Sequence, residues 1–310
     1  MAINNLKGYL LAAVAAAAYG TNPAFAIPLY DHGMNPNSVL LFRYLIGLPI
    51  LACIMKARRL SFKLSKDEIL KVIILGFLMA LSSLTLFESY KYMNSGIAST
   101  LLFVYPIMVA VLMIFLFHEK FKISIGLCLI IMSVGLFFLM NPQGTDSLSL
   151  TGILLVMVSA GTYAIYIILV NVSKTIKEIP TTKLLFYVLG AGTFFYICLI
   201  PLGFELTLPS NNSDWWSLTA LAIIPTVISL ACTTRAIQLI GSTPTAIFGA
   251  LEPVSAVILS VTILGQSITT RDIIGGVLII IATTIVVADN SVDKIILHVR
   301  KMFPRHAKNK

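Results

Sequence analysis

The sequence predicts an all-α membrane protein with ten transmembrane helices arranged as two inverted five-helix repeats. Three observations carry this reading: the composition, the count and spacing of apolar runs, and a recurrence at a nearly fixed offset. Of 310 residues, 58% are hydrophobic and 11% charged, with a mean hydropathy of +0.94. A soluble domain carries about a quarter of its residues as charges, so a secreted disulfide scaffold, a disordered chain and an ordinary soluble enzyme are all excluded. The net charge of +9 is not a nucleic-acid signal, because the Lys and Arg residues sit in short stretches between apolar runs. Cys53, Cys128, Cys198 and Cys232 each lie inside an apolar run and read as packing residues.

A helix needs roughly 20 apolar residues to cross the hydrocarbon core. Ten runs meet this need, at about 6–30, 37–55, 69–90, 95–117, 123–140, 150–172, 182–204, 216–240, 243–264 and 272–288. They are numbered here as segments 1 to 10. The first run continues through Pro23 and Pro28, too long for the apolar core of a cleavable signal. Charged or turn-forming stretches such as 56–71, 118–122, 141–149 and 209–214 separate the runs, and none leaves room for a soluble domain. Eighteen of the 22 Lys and Arg fall on one side of this arrangement, including Lys7, Lys56, Arg58, Arg59, Lys120, Lys174 and the tail from Lys294 to Lys310. Lys91 and Arg271 alone fall on the other, which predicts that both termini are cytoplasmic.

The recurrence gives the repeat. Gly8-Tyr-Leu-Leu matches Gly152-Ile-Leu-Leu, Tyr19 matches Tyr163, and Leu40-Leu-Phe42 matches Leu184-Leu-Phe186, all 144 residues apart. Ser82 then matches Ser229, Glu88 stands opposite Arg235, and Tyr105-Pro106 matches Glu252-Pro253, 147 apart. Five helices per copy make the second enter the membrane inverted. Inverted repeats are a recurring plan of secondary transporters, with solute bound near the midplane between the copies. The organisation is a first repeat over 1–145, a second over 146–290 and a basic cytoplasmic tail over 291–310. Leu-rich helices resemble one another by chance, but tyrosines and prolines kept in register make chance the weaker account.

Certain motifs resemble the drug/metabolite transporter superfamily, and the EamA family within it. They are Leu41-Phe-Arg-Tyr-Leu-Ile46 in segment 2, Ser95-Gly-Ile-Ala-Ser-Thr-Leu-Leu-Phe-Val-Tyr-Pro106 in segment 4, Phe117-His-Glu-Lys120 at its end, and Ala250-Leu-Glu-Pro-Val254 in segment 9. The resemblance covers about residues 8–288 and implies ten helices in two EamA units. It also implies movement of small metabolites, often amino acids or their relatives, through a cavity lined by segments 1, 3, 4, 6, 8 and 9. Gly265-Gln-Ser267 departs from the Gly-Glu pair that the family often places after the ninth helix.

Glu252 is the foremost candidate residue. It lies about ten residues, or roughly 15 Å, into segment 9, where an ionisable side chain is expensive and by default functional. It reads as a substrate-binding or proton-coupling carboxylate; the plainer reading is a hydrogen-bonded Glu that steadies a kink. Tyr19, Tyr105 and Tyr163 reach the same depth from segments 1, 4 and 6, so they join Glu252 in a substrate-binding pocket with Asn22, Phe103 and Phe248. Each tyrosine taken alone is also compatible with ordinary helix packing. Pro23, Pro106 and Pro253 mark helix breaks. Glu88 and Arg235 are gate candidates, although Glu88 and Lys91 are spaced for an i, i+3 ion pair. Arg43, roughly 9 Å from a helix end, is expected to snorkel to the headgroups. Trp215 and Trp216 read as interface anchors, and Asn211-Asn-Ser213 fits a glycosylation sequon.

No histidine cluster in a span, G-x-S-x-G elbow or P-loop is present, so an intramembrane enzyme and an ATP-driven pump are disfavoured, and no metal or other cofactor is expected. The expected function is a secondary transporter, an exporter in the first instance, of small polar metabolites by alternating access; a channel-like facilitator or an intramembrane enzyme is the alternative. The partners expected are a small-molecule substrate, the lipid bilayer and protons as a candidate coupling ion, without nucleic acid, in a monomer or weak dimer. A bacterial inner membrane is the expected location.

Overall fold

Residues 2–93, 95–118, 123–139, 149–255, 258, 270, 271 and 273–286 are described by a computed structural model, and every regular element among them is helical. Helix starts follow from capping chemistry. Asn35 stands before Pro36, and its Oδ1 accepts the Ser38 N–H at 2.8 Å, starting α3. Glu68 Oε2 accepts the Ser65 N–H at 2.7 Å, starting α4.

Segment 1 consists of α1 (Ala2–Tyr19) and α2 (Asn22–Asp31); segment 2 is α3 (Pro36–Ala57) and segment 3 is α4 (Lys66–Ser89). Segment 4 is divided into α5 (Ser95–Leu102) and α6 (Tyr105–Phe117), and segment 5 is α7 (Ile123–Leu139). Segment 6 is α8 (Leu150–Val172), followed by the short α9 (Lys174–Glu178) and by segment 7, α10 (Thr181–Leu199). Segment 8 joins α11 (Asn212–Leu221) to α12 (Ser229–Ile240) through a π-helical stretch, Ala222–Ile228. Segment 9 opens with α13 (Ser242–Gly249) and resumes as helix over 251–255, and α14 (Ile273–Val286) lies in segment 10.

Among the described residues, six helices are long and apolar enough to cross a bilayer unaided: Asn4–Asp31, Pro36–Ala57, Lys66–Ser89, Leu150–Val172, Thr181–Leu202 and Asn212–Ile240. Tyr105–Phe117, Ser124–Phe138 and Ile273–Val286 are shorter apolar helices. Segment 4 falls short because it is broken, and segments 9 and 10 run partly outside the described residues. The Gly265-Gln-Ser267 site, Lys120, Lys122 and the basic tail also lie outside them. Exposed side chains such as Phe115, Ile130, Phe137 and Phe194 form the apolar outer surface that hydrocarbon would cover.

The halves interleave. The most extensive pairings set α4 along α8 and α12 along α1, so segment 3 packs on segment 6 just as segment 8 packs on segment 1. The hydrogen bonds repeat the relation. Ser82 Oγ donates to the Ser159 carbonyl at 3.1 Å, and Ser229 Oγ donates to the Ala15 carbonyl at 2.9 Å. Donors and acceptors are 147 and 144 residues apart in the chain, the offsets of the sequence repeat. So are two close approaches: a Cβ on Gly8 would stand 2.5 Å from Ile240, and one on Gly152 would stand 2.6 Å from Met93. Small residues let membrane helices meet backbone to backbone.

Two loops are strapped across the halves. On the Lys-rich face, Lys183 Nζ donates to the Lys63 carbonyl at 2.5 Å, and the Tyr187 hydroxyl donates to the Phe62 carbonyl. On the opposite face, Thr207 N–H donates to Ser38 Oγ at 2.9 Å, Asn35 N–H donates to Thr207 Oγ1 at 3.0 Å, and the Asn35 amide donates to the Glu205 carbonyl. None of the four cysteines forms a disulfide; Cys128 is buried, whereas Cys53 and Cys198 face outward and are not core packing residues.

Candidate functional site

The site is built from broken helices, and prolines place the breaks. A proline ring clashes with the carbonyl four residues earlier and offers no N–H to it. α1 stops at Tyr19, four residues before Pro23; α5 stops at Leu102, four before Pro106; α13 stops at Gly249, four before Pro253. α11 likewise gives way to the π-helical stretch at Leu221, four before Pro225. Leu102 and Gly249 are themselves 147 residues apart, so the breaks in segments 4 and 9 are repeat mates.

These breaks meet one another. A Cβ on Gly20 would come within 2.6 Å of the Glu252 carbonyl oxygen, so only glycine lets the bend of segment 1 lie against segment 9. Tyr105 fits over Gly249, where a Cβ would overlap its hydroxyl, and that hydroxyl donates to the Ala246 carbonyl at 3.2 Å. The Tyr105 and Tyr163 rings pack edge to face with centroids 4.9 Å apart.

A small, partly open cavity lies at this junction, with room for about one water. Segment 1 contributes Ala12, Ala15 and Ala16; segments 4 and 6 contribute Tyr105, Tyr163 and Ile167; segments 8 and 9 contribute Thr233, Thr245, Gly249 and Glu252. Among the described residues no Lys, Arg or His makes an ion pair with Glu252. The cavity thus has one carboxylate, two phenols and two threonine hydroxyls on an otherwise apolar wall. Such a surface can exchange a proton with a solute or hold its polar end.

The other candidate residues are placed as follows. Tyr19 ends α1, within electrostatic reach of both Glu252 and Arg43, although it does not line the cavity. Phe103 is buried behind Tyr105, with centroids 6.0 Å apart, and Phe248 packs on Tyr9 at 5.4 Å. Both stand behind the lining. Asn22 is buried and neither atom of its amide has a hydrogen-bond partner. Glu88 pairs with Lys91 at 2.8 Å. Arg235 is exposed and bonds to Gln238 at 3.0 Å, outside the cavity.

Arg43 requires a correction. It does not snorkel to a surface: only 1% of it is exposed. Its Nε donates to Thr226 Oγ1 and its Nη2 to the Pro225 carbonyl at 3.3 Å, while the guanidinium faces the Phe87 ring at 5.8 Å. Both acceptors lie in the π-helical stretch, and the side chain points inward to reach them. Sequence reasoning also missed the alanines, Thr233 and Thr245. The run Ala12-Ala-Val-Ala-Ala-Ala-Ala18 was the available signal, because a helix face without side-chain volume leaves space beside it. The bond between His32 Nδ1 and Asp214 Oδ1, 2.6 Å across the Lys-poor face, was a second omission.

Interleaved inverted halves, broken helices meeting at a central polar pocket and an apolar exterior together define a polytopic membrane transporter. The model of the EamA-like transporter family matches residues 6–141 and 150–288, and the chain belongs to that family. Ten helices, as two five-helix units, fit this family, and the described helices account for parts of all ten segments. The chain is 26% identical over 247 residues to the uncharacterized transporter YdfC of Bacillus subtilis, covering 79% of each chain. It is 24% identical over 301 residues to an uncharacterized transporter of Clostridium kluyveri, covering 92% of this chain and 94% of the relative. A solved structure titled "Crystal structure of protein" superposes with a TM-score of 0.73 at 16% identity, over 92% of this chain and 98% of the other, and shows the same fold.

Proposed function

We propose that the chain is a secondary transporter that moves small polar metabolites, amino acids and their relatives among them, by alternating access, with export as the working direction. The observation that carries this reading is the small cavity between the inverted halves, lined by Glu252, a carboxyl group with no ion pair among the described residues. Two halves of the same plan can exchange conformations, and that exchange opens a central site to one face and then to the other. In this reading Glu252 alternates between a proton and the solute, while Tyr105 and Tyr163 form the wall against which the solute packs. The relatives come from bacteria, which supports a bacterial inner membrane. The one-sided distribution of Lys and Arg supports cytoplasmic termini.

The test is uptake of a labelled metabolite panel by proteoliposomes, with and without an imposed pH gradient. The wild type should accumulate at least one solute above its outside concentration, and Glu252→Gln should abolish that accumulation while eluting as the same monodisperse species. A solute that only equilibrates would mark a channel-like facilitator. Full pH-dependent transport by Glu252→Gln would remove Glu252 from the mechanism.

A further inference from the structure

Segments 1 and 8 are the two long spans interrupted midway, one between α1 and α2 and the other at the π-helical stretch. Inward of these breaks, α1 packs along α12, and both supply residues to the cavity. Outward of them, α2 packs mainly on α11 and buries Asn22, Ala26 and Leu29. The outer limbs therefore form a pair continuous with two walls of the cavity. A single side-chain contact ties that pair at its end, His32 Nδ1 to Asp214 Oδ1 at 2.6 Å. The Asp214 side chain is 2% exposed, and its other oxygen accepts the Ser210 and Asn211 N–H groups at 2.9 and 3.1 Å. The His32 side chain is 41% exposed, so protons from the Lys-poor side reach it.

Histidine is the side chain that changes charge between about pH 5 and 8. A neutral His32 keeps one hydrogen bond to Asp214 through Nδ1–H, and a protonated His32 adds an ion pair to it. His32 caps the C-terminus of α2 and Asp214 lies in the first turn of α11, so each helix end favours the charge placed there. The other ionisable groups on the surrounding outer limbs are Tyr30 and Asp31 on α2, Arg43 and Tyr44 on α3, and Glu205 in the connection before α11. None of these forms an ion pair with His32 or Asp214, and the π-helical stretch carries no ionisable residue. The inverted repeat supplies a comparison. Its offsets carry His32 to Ile176 and Asp214 to Asp67. There, on the Lys-rich face, Lys71, one turn beyond Asp67, donates through Nζ to Oγ1 of Thr175, beside Ile176, at 2.6 Å. Neither residue type titrates in the range of histidine. Matching contacts thus tie the two faces, and only the Lys-poor one contains a histidine.

We propose that the His32–Asp214 contact is a pH-sensitive latch on the Lys-poor face: a proton on His32 holds α2 against α11, and its loss lets the two part more readily. The latch stands on the contact itself, while its service as an outer gate rests on the transporter reading above. Acidification of the Lys-poor side then favours the state closed to that side, and the Lys71–Thr175 contact gives the opposite side no equivalent response.

The test uses the full chain in detergent, with its four cysteines replaced by serine and a reporter, Ala26→Cys, on the buried face of α2. The reporter thiol reacts with a maleimide when α2 leaves its neighbours. Its rate is divided by that of the same chain carrying His32→Asn, which keeps a donor near the place of Nδ1 but does not titrate. The division cancels the pH dependence of the thiol itself. The ratio should rise about threefold or more from about pH 5 to about pH 8, the shift that an ion pair near the surface is worth. Asp214→Asn as the divisor should give the same rise, so the outcome does not hang on one substitution folding. A ratio that stays level, or falls, overturns the proposal. Labelling needs no solute, so the two readings fail separately. A rising ratio in a chain that carries no solute keeps the latch and removes the transporter; a level ratio in a chain that transports removes the latch alone.

Discussion

Glycine 249 shows how much a single atom governs at this site. The Tyr105 hydroxyl occupies the place of its missing side chain. Gly249→Ala should therefore destabilise the protein by roughly 1–3 kcal/mol, the range for overpacking a filled interior, and should lower the detergent unfolding temperature. Tyr105→Phe removes the clashing oxygen, so the double variant should lose clearly less than the sum of the two single variants. Strict additivity would show that the contact does not control stability. At this scale, legibility depended on chemical isolation. Glu252 stood out because it is an acid deep inside an apolar run. Arg43 was misjudged because its distance from a helix end suggested the headgroups, whereas the acceptors that hold it, Thr226 and the Pro225 carbonyl, are remote in the chain. Phe103 and Phe248 share the depth of the tyrosines, but helix rotation places them behind the lining, and depth alone carries no rotation.

At the scale of the element, prolines decide where a helix stops, but not all of them do. Pro106 and Pro253 each stand four residues beyond the end of a helix, whereas Pro28 and Pro49 sit within α2 and α3. An interior proline costs a helix about 3 kcal/mol, and packing against neighbours determines whether the chain bends or absorbs it. The sequence carries the penalty but not the neighbours. Pro106→Ala and Pro253→Ala restore an N–H for the carbonyls of Leu102 and Gly249. Each variant should unfold at the same or higher temperature and transport at least ten-fold more slowly, as read by thermal unfolding and initial uptake rates. Wild-type transport by both would show that the breaks are dispensable. The π-helical stretch Ala222–Ile228 was not foreseen, since its repeat counterpart in segment 3 is regular helix and the offset predicts likeness rather than difference.

For the whole molecule, the repeat offsets were readable from matched residues, but the interleaving of the halves was not. Which segments touch depends on the return of the chain through the bilayer, which no linear pattern records. The related hydrogen bonds from Ser82 and Ser229 allow a direct check. Ser82→Ala and Ser229→Ala should each cost about 0.5–1.5 kcal/mol, the usual worth of a hydrogen bond between membrane helices, and their losses should be similar. A cost at one site with none at the other would show that the two interfaces are not equivalent. Sidedness is testable in intact cells: a cysteine placed at Asn211 should react with an impermeant thiol reagent, and one at Lys63 should not. The reverse labelling would invert the orientation read from the charges.

Interleaving also constrains timing. α1 packs on α12 and α4 on α8, so the first half completes its contacts only after the second has been synthesised. At about 5–20 residues per second, roughly 150 residues of translation leave the first five segments in the bilayer for on the order of ten seconds. During that interval Ser82 lacks its Ser159 partner, and Gly8 and Gly20 lack the Ile240 and Glu252 neighbours that require them to be glycine. The protein is assembled late, by the arrival of its own second copy.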